Sequence, residues 1–368
     1  MRIGFVLDDT LDTPDGVQQY VLMVGAWLTQ HGHEVHYLVT NTVRTDIPNV
    51  HSLGKYMKGR FNGNHVRTPL PVSKGRIKLL LDELKLDIIH LQMPYSPFFG
   101  GRVVMAAGKT PVIATFNILP YTNWQRRSNH SLGRAQRRST KRLARVIAPS
   151  PMAATFAQRA YRVDPVVLPY PIDLARYREG RPLEEYSDKL NILFLGRLVA
   201  RKGVLALLHA YQALDADTRS RCRLIIAGRG PQLDEATRLA GNANDIVFTG
   251  FVSEEAKPDY LASADIAVFP AFGGESFGIV LTEAMASGSG VVIGGNNPGY
   301  TSVLAPMPEC LFDPTDIPAL TRTLAKLISD DPWRRQLHAQ QQSYIETFDV
   351  NLYGQRLLAL YRDAQTSR

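Results

Sequence analysis

"NILFLGRLVARKGVLALLHAYQAL", residues 191–214, runs from an apolar stretch through a glycine and a short cationic loop into a second apolar pattern. Ile192 to Leu195 is too short for a helix and reads as a strand buried on both faces. From Val204 to Leu214 the apolar residues recur at helical spacing. A strand that passes at once into a helix is the repeating unit of a parallel sheet. The alternation continues in "CRLIIAGRG", "IVFTGFV", "ADIAVFPA" and "GVVIGG". It also fills the first half, in "RIGFVL", "VQQYVLMVGAWLTQHG", "EVHYLVT", "LDIIHLQ", "PVIATF" and "RVIAPS". Between the halves "VVLPYPID" breaks the pattern with two prolines, which is linker chemistry. The 368 residues suit two domains of about 150 to 200 residues each. The expected boundaries are 1–170 and 171–348, with 349–368 a C-terminal amphipathic helix returning to the first domain. The fold class is therefore α/β: two doubly wound, Rossmann-like domains facing each other across a cleft, with ligands outside the C-terminal ends of the strands.

Composition narrows the class. The chain is 45% hydrophobic and 21% charged, as in globular proteins, and its apolar runs fall short of the ~20 residues of a membrane span. "RIGFVL" after Met1 is too short for a signal-peptide core, so a cytoplasmic chain is expected. Cys222 and Cys310 make no disulfide framework and have no metal-site spacing. The net charge of +8 is uneven: residues 1–170 hold 22 Lys/Arg against 10 Asp/Glu. A basic first half points to an anionic surface. Between Arg126 and Arg145 there are eight basic and no acidic residues, with only Tyr121 and Trp124 as nearby aromatics. Nucleic acid would call for more stacking rings. A membrane surface fits better, helped by "SKGRIKLLLDELK", in which Lys74, Arg76 and Lys78 precede a stripe of Ile77, Leu80, Leu81 and Leu84. That stripe has a second reading, packing on the sheet with the cations still outward.

The chemistry-bearing residues follow strand ends. Arg197 and Lys202 flank a loop beside Gly196 and Gly203, where a fork and a point charge converge on one diphosphate. In "FGGESFGIVLTEAMASG" Glu275 falls in a glycine-rich loop after a strand. Ser276 then reads as the cap of a helix whose first N–H groups, on Phe277, Gly278, Ile279 and Val280, suit phosphate. Glu283 lies further along the same helix. Carboxylates beside diphosphate-binding cations describe a nucleoside-diphosphate sugar, with Glu275 on the sugar and Glu283 on the ribose. Gly16 in "DTPDGVQQYV" admits a phosphate at a helix start or makes a plain tight turn.

At Arg197, Lys202, Glu275 and Glu283 the chain resembles the retaining GT-B glycosyltransferases of family 4, over nearly its whole length. "DGVQQYV", "FNGNHVR" and "GGESFGIVL" are similar to the branch that mannosylates phosphatidylinositol. The resemblance implies a hexosyltransferase, moving mannose from GDP-mannose onto an anionic lipid head group such as phosphatidylinositol, peripherally bound at the inner face of the cell membrane. It implies a front-face, retaining reaction with no tightly bound cofactor and no essential metal. A UDP-hexose, with another lipid or a soluble acceptor, is the alternative. Further rivals are a nucleotide-sugar epimerase and a basic RNA-binding protein, which leaves the glutamates and cations without a purpose. Glu275, Arg197 and Lys202 would be catalytic. Val252 and Lys257 would meet the nucleobase. Gln18, Asn62, Asn64 and Arg67 would meet the acceptor. Asp9 and Asn117 stand where the branch has a tyrosine and a histidine, so the acceptor side departs from the pattern.

Other signals read as structural. His31, His33 and His36 surround a helix stop and a strand whose side chains alternate, which does not gather a metal. "DAD" at 215–217 imitates a metal motif but sits at a helix end. His90 ends its strand on the cleft side, where it meets an acceptor or serves the core.

Overall fold

A computed structural model describes residues 1–13, 15–61 and 64–366, with the backbone alone at 58–61 and 64–68. The chain divides into two compact units, Met1–Pro171 with Val350–Arg368, and Ile172–Asp349.

The first unit carries β1 (Arg2–Leu7), β2 (Glu34–Val39), β3 (Val50–Ser52), β4 (Tyr56–Phe61), β5 (Asn64–Pro69), β6 (Ile88–Met93), β7 (Val112–Phe116), β8 (Arg145–Ala148) and β9 (Pro165–Val167). Seven of them form one sheet in the order β3-β2-β1-β6-β7-β8-β9, while β4 and β5 make a separate antiparallel hairpin. Every pairing in the large sheet is parallel, so strands buried on both faces need the continuous apolar runs seen in the sequence. The order reverses between β1 and β6, the switch point at which doubly wound sheets bind ligands.

One face of this sheet is an apolar core. Leu91, Met93, Ala114 and Phe116 pack with Val103, Ala157 and Tyr161. Ile77 and Leu84 join that core and Leu80 and Leu81 lie against it, so the stripe of helix Lys74–Leu84 faces the sheet and not a membrane. Lys74, Arg76 and Lys78 remain exposed on the other side of the helix.

The opposite face is covered by helices Gly16–Gln30 and Val350–Thr366 and is partly polar. His90 is fully buried, bonded through Nδ1 to Tyr361 Oη at 2.7 Å and through Nε2 to Thr115 Oγ1 at 2.7 Å. Burial pushes its pKa down to about 3, so the ring stays neutral. Tyr20 Oη meets Tyr353 Oη at 2.6 Å and Trp27 donates to Asn351 Oδ1 at 2.8 Å. Gly354 lets the two helices close, since a Cβ there would lie 2.3 Å from the Trp27 ring. His90 is thus a structural residue that fastens the C-terminal helix to the sheet.

The second unit carries β10 (Leu190–Leu195), β11 (Cys222–Ala227), β12 (Ile246–Gly250), β13 (Ile266–Phe269), β14 (Val291–Gly295) and β15 (Leu311–Phe312). They form one parallel sheet ordered β12-β11-β10-β13-β14-β15, with the reversal between β10 and β13. Asp215 caps helix Ala216–Ser220 through bonds from Thr218, so "DAD" opens a helix and is structural.

Candidate active site

The loops after β10 and β13 meet at the switch point of the second unit. After β10 the chain makes a 3-10 turn, Ala200–Lys202, that ends on Gly203 in the left-handed region at φ 76°. A Cβ on Gly203 would fall 2.1 Å from the Pro270 carbonyl oxygen, so glycine is what lets this turn lie on the chain leaving β13. Phe272 N–H donates to Arg201 O at 2.9 Å and fastens the two loops.

Glu275 is mostly buried here, and one oxygen takes both neighbouring cations. Lys202 Nζ lies 3.0 Å from Oε1, and Arg201 Nη1 bonds the same atom. Burial raises the Glu275 pKa, but the charges of Lys202 and Arg201 outweigh it and hold the carboxyl below its ordinary value. Lys202 moves down, through burial first, with Arg201 and Arg197 opposing the pull of Glu275. Two cations thus bind one carboxylate, and the charge of Arg197 reaches Lys202. The cluster carries an excess of positive charge at the strand ends, which is what a diphosphate requires.

Glu283 belongs to a second, neutral cluster. It lies buried on helix Ile279–Ala286 and accepts from Tyr177 Oη at 2.7 Å and Lys257 Nζ at 3.0 Å, both on Oε1. Lys257 also pairs with Glu254 at 2.8 Å, and Glu254 with Arg176 at 3.5 Å. Burial lowers the Lys257 pKa, but Glu283 and Glu254 outweigh it and hold the ammonium above its ordinary value. Its charge is therefore engaged by two carboxylates. Val252 is half-buried on the loop before Lys257.

The helix begins later than its sequence indicated. Its N-cap is Gly278 at φ 133°, and Ile279 is the first helical residue. Phe277 is buried against Phe348, with ring centroids 5.7 Å apart, which draws the chain inward before the helix starts. Ser276 therefore does not cap it; the N–H groups of Ile279 and Val280 open the helix, while those of Phe277 and Gly278 precede it.

In the first unit, Gly16 is exposed at the first position of its helix. Gln18 is buried and donates to Asp9 Oδ2 at 3.4 Å and Thr10 O at 3.3 Å. Asn117 follows β7, donates to Gln92 Oε1 at 3.0 Å and accepts from Tyr170 Oη. Gln92 Nε2 is buried and has no partner among the described residues. Asn62 lies outside the described residues, and Asn64 and Arg67 are described by backbone alone.

The residues that sequence reasoning passed over are Arg201, Tyr177, Glu254 and Gln92. Arg201 had a signal, its place beside Lys202 in "ARKG": a 3-10 turn puts both on one carboxylate. Tyr177 and Glu254 are joined to Glu283 only by the fold.

Two families match the sequence: Glycosyltransferase Family 4 over residues 14–176 and Glycosyl transferases group 1 over residues 177–344. The phosphatidyl-myo-inositol mannosyltransferase of Mycolicibacterium smegmatis is 30% identical over 368 residues, covering 98% of this chain and 93% of its own. The chain is a family 4 glycosyltransferase. Its fold is that of the GT-B enzymes. Sucrose-phosphate synthase from Thermosynechococcus elongatus superposes with a TM-score of 0.74 over 100% of both chains at 18% identity. Anabaena HepE in complex with UDP-glucose gives 0.73 over 98% of each at 16% identity. In this glycosyltransferase, no helix among the described residues is long and apolar enough to cross a membrane.

Proposed function

We propose that this glycosyltransferase moves mannose from GDP-mannose to a hydroxyl of the phosphatidylinositol head group, with retention at the anomeric carbon. The observation that carries the reading is the pairing of Arg201 and Lys202 with Glu275 at the switch point, with Arg197 near enough to act on Lys202. Its support from similarity is the full-length likeness to the mycobacterial mannosyltransferase.

In this reading Arg197 and Lys202 meet the diphosphate, with the N–H groups of Ile279 and Val280 at the helix start beside it. Glu275 holds hydroxyls of the sugar. Glu283 offers Oε2 to the ribose while Tyr177 and Lys257 fix Oε1, so Lys257 acts by orienting Glu283. Val252 lies by the base, and Gly16 lets the diphosphate approach. Asp9, Gln18 and Asn117, with Asn62, Asn64 and Arg67, read the acceptor. The bond from the anomeric carbon to the β-phosphate oxygen breaks, and the acceptor oxygen bonds that carbon on the same face. The acceptor proton passes to the departing phosphate, whose charge the cations stabilise. Side chains supply the positive charge in this scheme, so it calls for no metal.

The exposed Lys74, Arg76 and Lys78 would hold the first unit on anionic lipid at the cytoplasmic face. Two measurements test the function. Calorimetry across GDP-mannose, UDP-glucose, UDP-galactose and UDP-N-acetylglucosamine selects the donor; binding restricted to a UDP-sugar refutes mannose transfer. Proton NMR of the product then reads the anomeric configuration, and inversion refutes the front-face reaction.

A further inference from the structure

The first unit has a cavity of about 470 Å³ at the sheet edge opposite its ligand-binding ends. Lys141, Arg142 and Arg145 line it, with Val104, Val112 and Ala364 as apolar wall. Val112 opens β7 and Arg145 opens β8, whereas Asn117 follows the last residue of β7. The five residues of β7 separate the two places by roughly 16 Å at about 3.3 Å per residue. The cavity therefore lies apart from the acceptor residues.

Its charge is only partly compensated. Lys141 makes no side-chain bond among the described residues. Arg142 gives one N–H to Met105 O at 3.4 Å. Arg145 is held by Asp363, with Nε 2.8 Å and Nη2 2.7 Å from Oδ2, and gives Nη1–H to Ala144 O at 2.8 Å, so it lines the cavity as a paired guanidinium. No carboxylate lines it among the described residues, and the whole segment from Arg126 to Arg145 contains none. The Arg142 guanidinium and the Lys141 ammonium, exposed on a hollow with no carboxylate in its lining, match the phosphate of an ester.

We propose that this cavity is a second anion site, which takes a phosphate ester and is separate from the donor and acceptor sites. The phosphate sits between Lys141 and Arg142, with the organic group in the hollow beside them. Such an ester is either a free metabolite or the head group of a lipid, and the two sources are separated by the probe used.

Glycerol 1-phosphate is titrated by calorimetry, and phosphatidic acid in phosphatidylcholine vesicles is offered in flotation. Both are run on the full chain carrying Arg197→Ala and Lys202→Ala, which removes phosphate binding at the proposed donor site. Adding Lys141→Ala and Arg142→Ala should weaken binding at least tenfold. Adding Arg126→Ala and Arg127→Ala, which removes the same charge from the same unit, should change it less than threefold. A response to glycerol 1-phosphate assigns a soluble ester, and a response to vesicles alone assigns a lipid head group. Equal losses in the two double variants would reduce the effect to general surface charge and overturn the site. So would no binding of either probe once Arg197 and Lys202 are gone. All four cations are exposed, so these substitutions leave the fold intact.

Discussion

Glu275 occupies the cations that a diphosphate would need, so removing its charge should tighten binding of bare GDP. At the observed 3.0 Å, its attraction to Lys202 is about 5.5 kcal/mol at an effective dielectric near 20. Most of that offsets the desolvation of two largely buried charges, so the net competition is smaller. A residual of about 1 to 2 kcal/mol corresponds to roughly 5- to 30-fold in affinity. Glu275→Gln keeps the shape and one acceptor oxygen while removing the charge that holds Lys202 and Arg201. Transfer should fall in the same variant, because the sugar loses its carboxylate. Calorimetric titration of GDP into wild type and Glu275→Gln at low and high salt measures the first effect, and a radiolabelled transfer assay the second. The gain should shrink with salt, though less than for an exposed pair. GDP binding that is unchanged or weaker in Glu275→Gln refutes competition between carboxylate and diphosphate.

Glu283→Gln and Tyr177→Phe should both weaken GDP and GDP-mannose alike, about tenfold, since each disturbs the carboxylate proposed to hold the ribose; an effect on GDP-mannose alone would contradict that placement. Gly354→Ala should destabilise the first unit by about 1 to 3 kcal/mol, because its Cβ would enter the space of the Trp27 ring, and urea unfolding checks it. Asp8, raised to about 7 by burial against the bonds from Ser96 and Gly100, keeps its proton in the native state while the unfolded chain releases it near 4. Stability should therefore fall as pH rises from about 4 to 7, and the difference in urea midpoint between wild type and Asp8→Asn should trace that fall. Vesicle flotation should weaken several-fold in a Lys74→Ala, Arg76→Ala, Lys78→Ala variant and in high salt; binding that ignores both would reopen the question of a soluble acceptor.

The doubly wound architecture was legible because strands buried on both faces must be apolar almost without interruption, as "NILFLG" and "RLIIAG" are. The cationic loop was legible because it follows a strand. Pairing was not. The place of Arg201 beside Lys202 in "ARKG" hinted at a shared partner, but only the 3-10 turn puts both on Glu275, because it projects adjacent residues differently from an α-helix. The helix start at Ile279 was hidden by the capping chemistry of Ser276, a local signal overridden by burial of Phe277 against Phe348. The stripe of helix Lys74–Leu84 looked the same whether it met lipid or the sheet; only the core around Ile77 and Leu84 decides between them.

The two glutamates, with seven residues between them, stand in different electrostatic settings, and that difference assigns their behaviour. Around Glu283 the charges of Arg176 and Lys257 balance those of Glu254 and Glu283, and Tyr177 fixes the same oxygen. A balanced, hydrogen-bonded cluster gains nothing by rearranging when an anion arrives, so Glu283 serves as a fixed contact. At Glu275 two cations, Arg201 and Lys202, share one carboxylate, and Arg197 adds positive charge beside Lys202. In the proposed reading an arriving diphosphate supplies the missing negative charge, so Lys202 passes to it while Arg201 keeps Glu275 in place. In that reading the carboxylate remains beside the diphosphate, at the place proposed for the sugar. A Lys202→Ala variant should therefore lose far more turnover, on the order of 10²- to 10³-fold, than ground-state sugar-nucleotide affinity, because the diphosphate gains its charge as the bond breaks. Equal losses in turnover and in calorimetric affinity would place Lys202 in ground-state binding alone and refute the exchange.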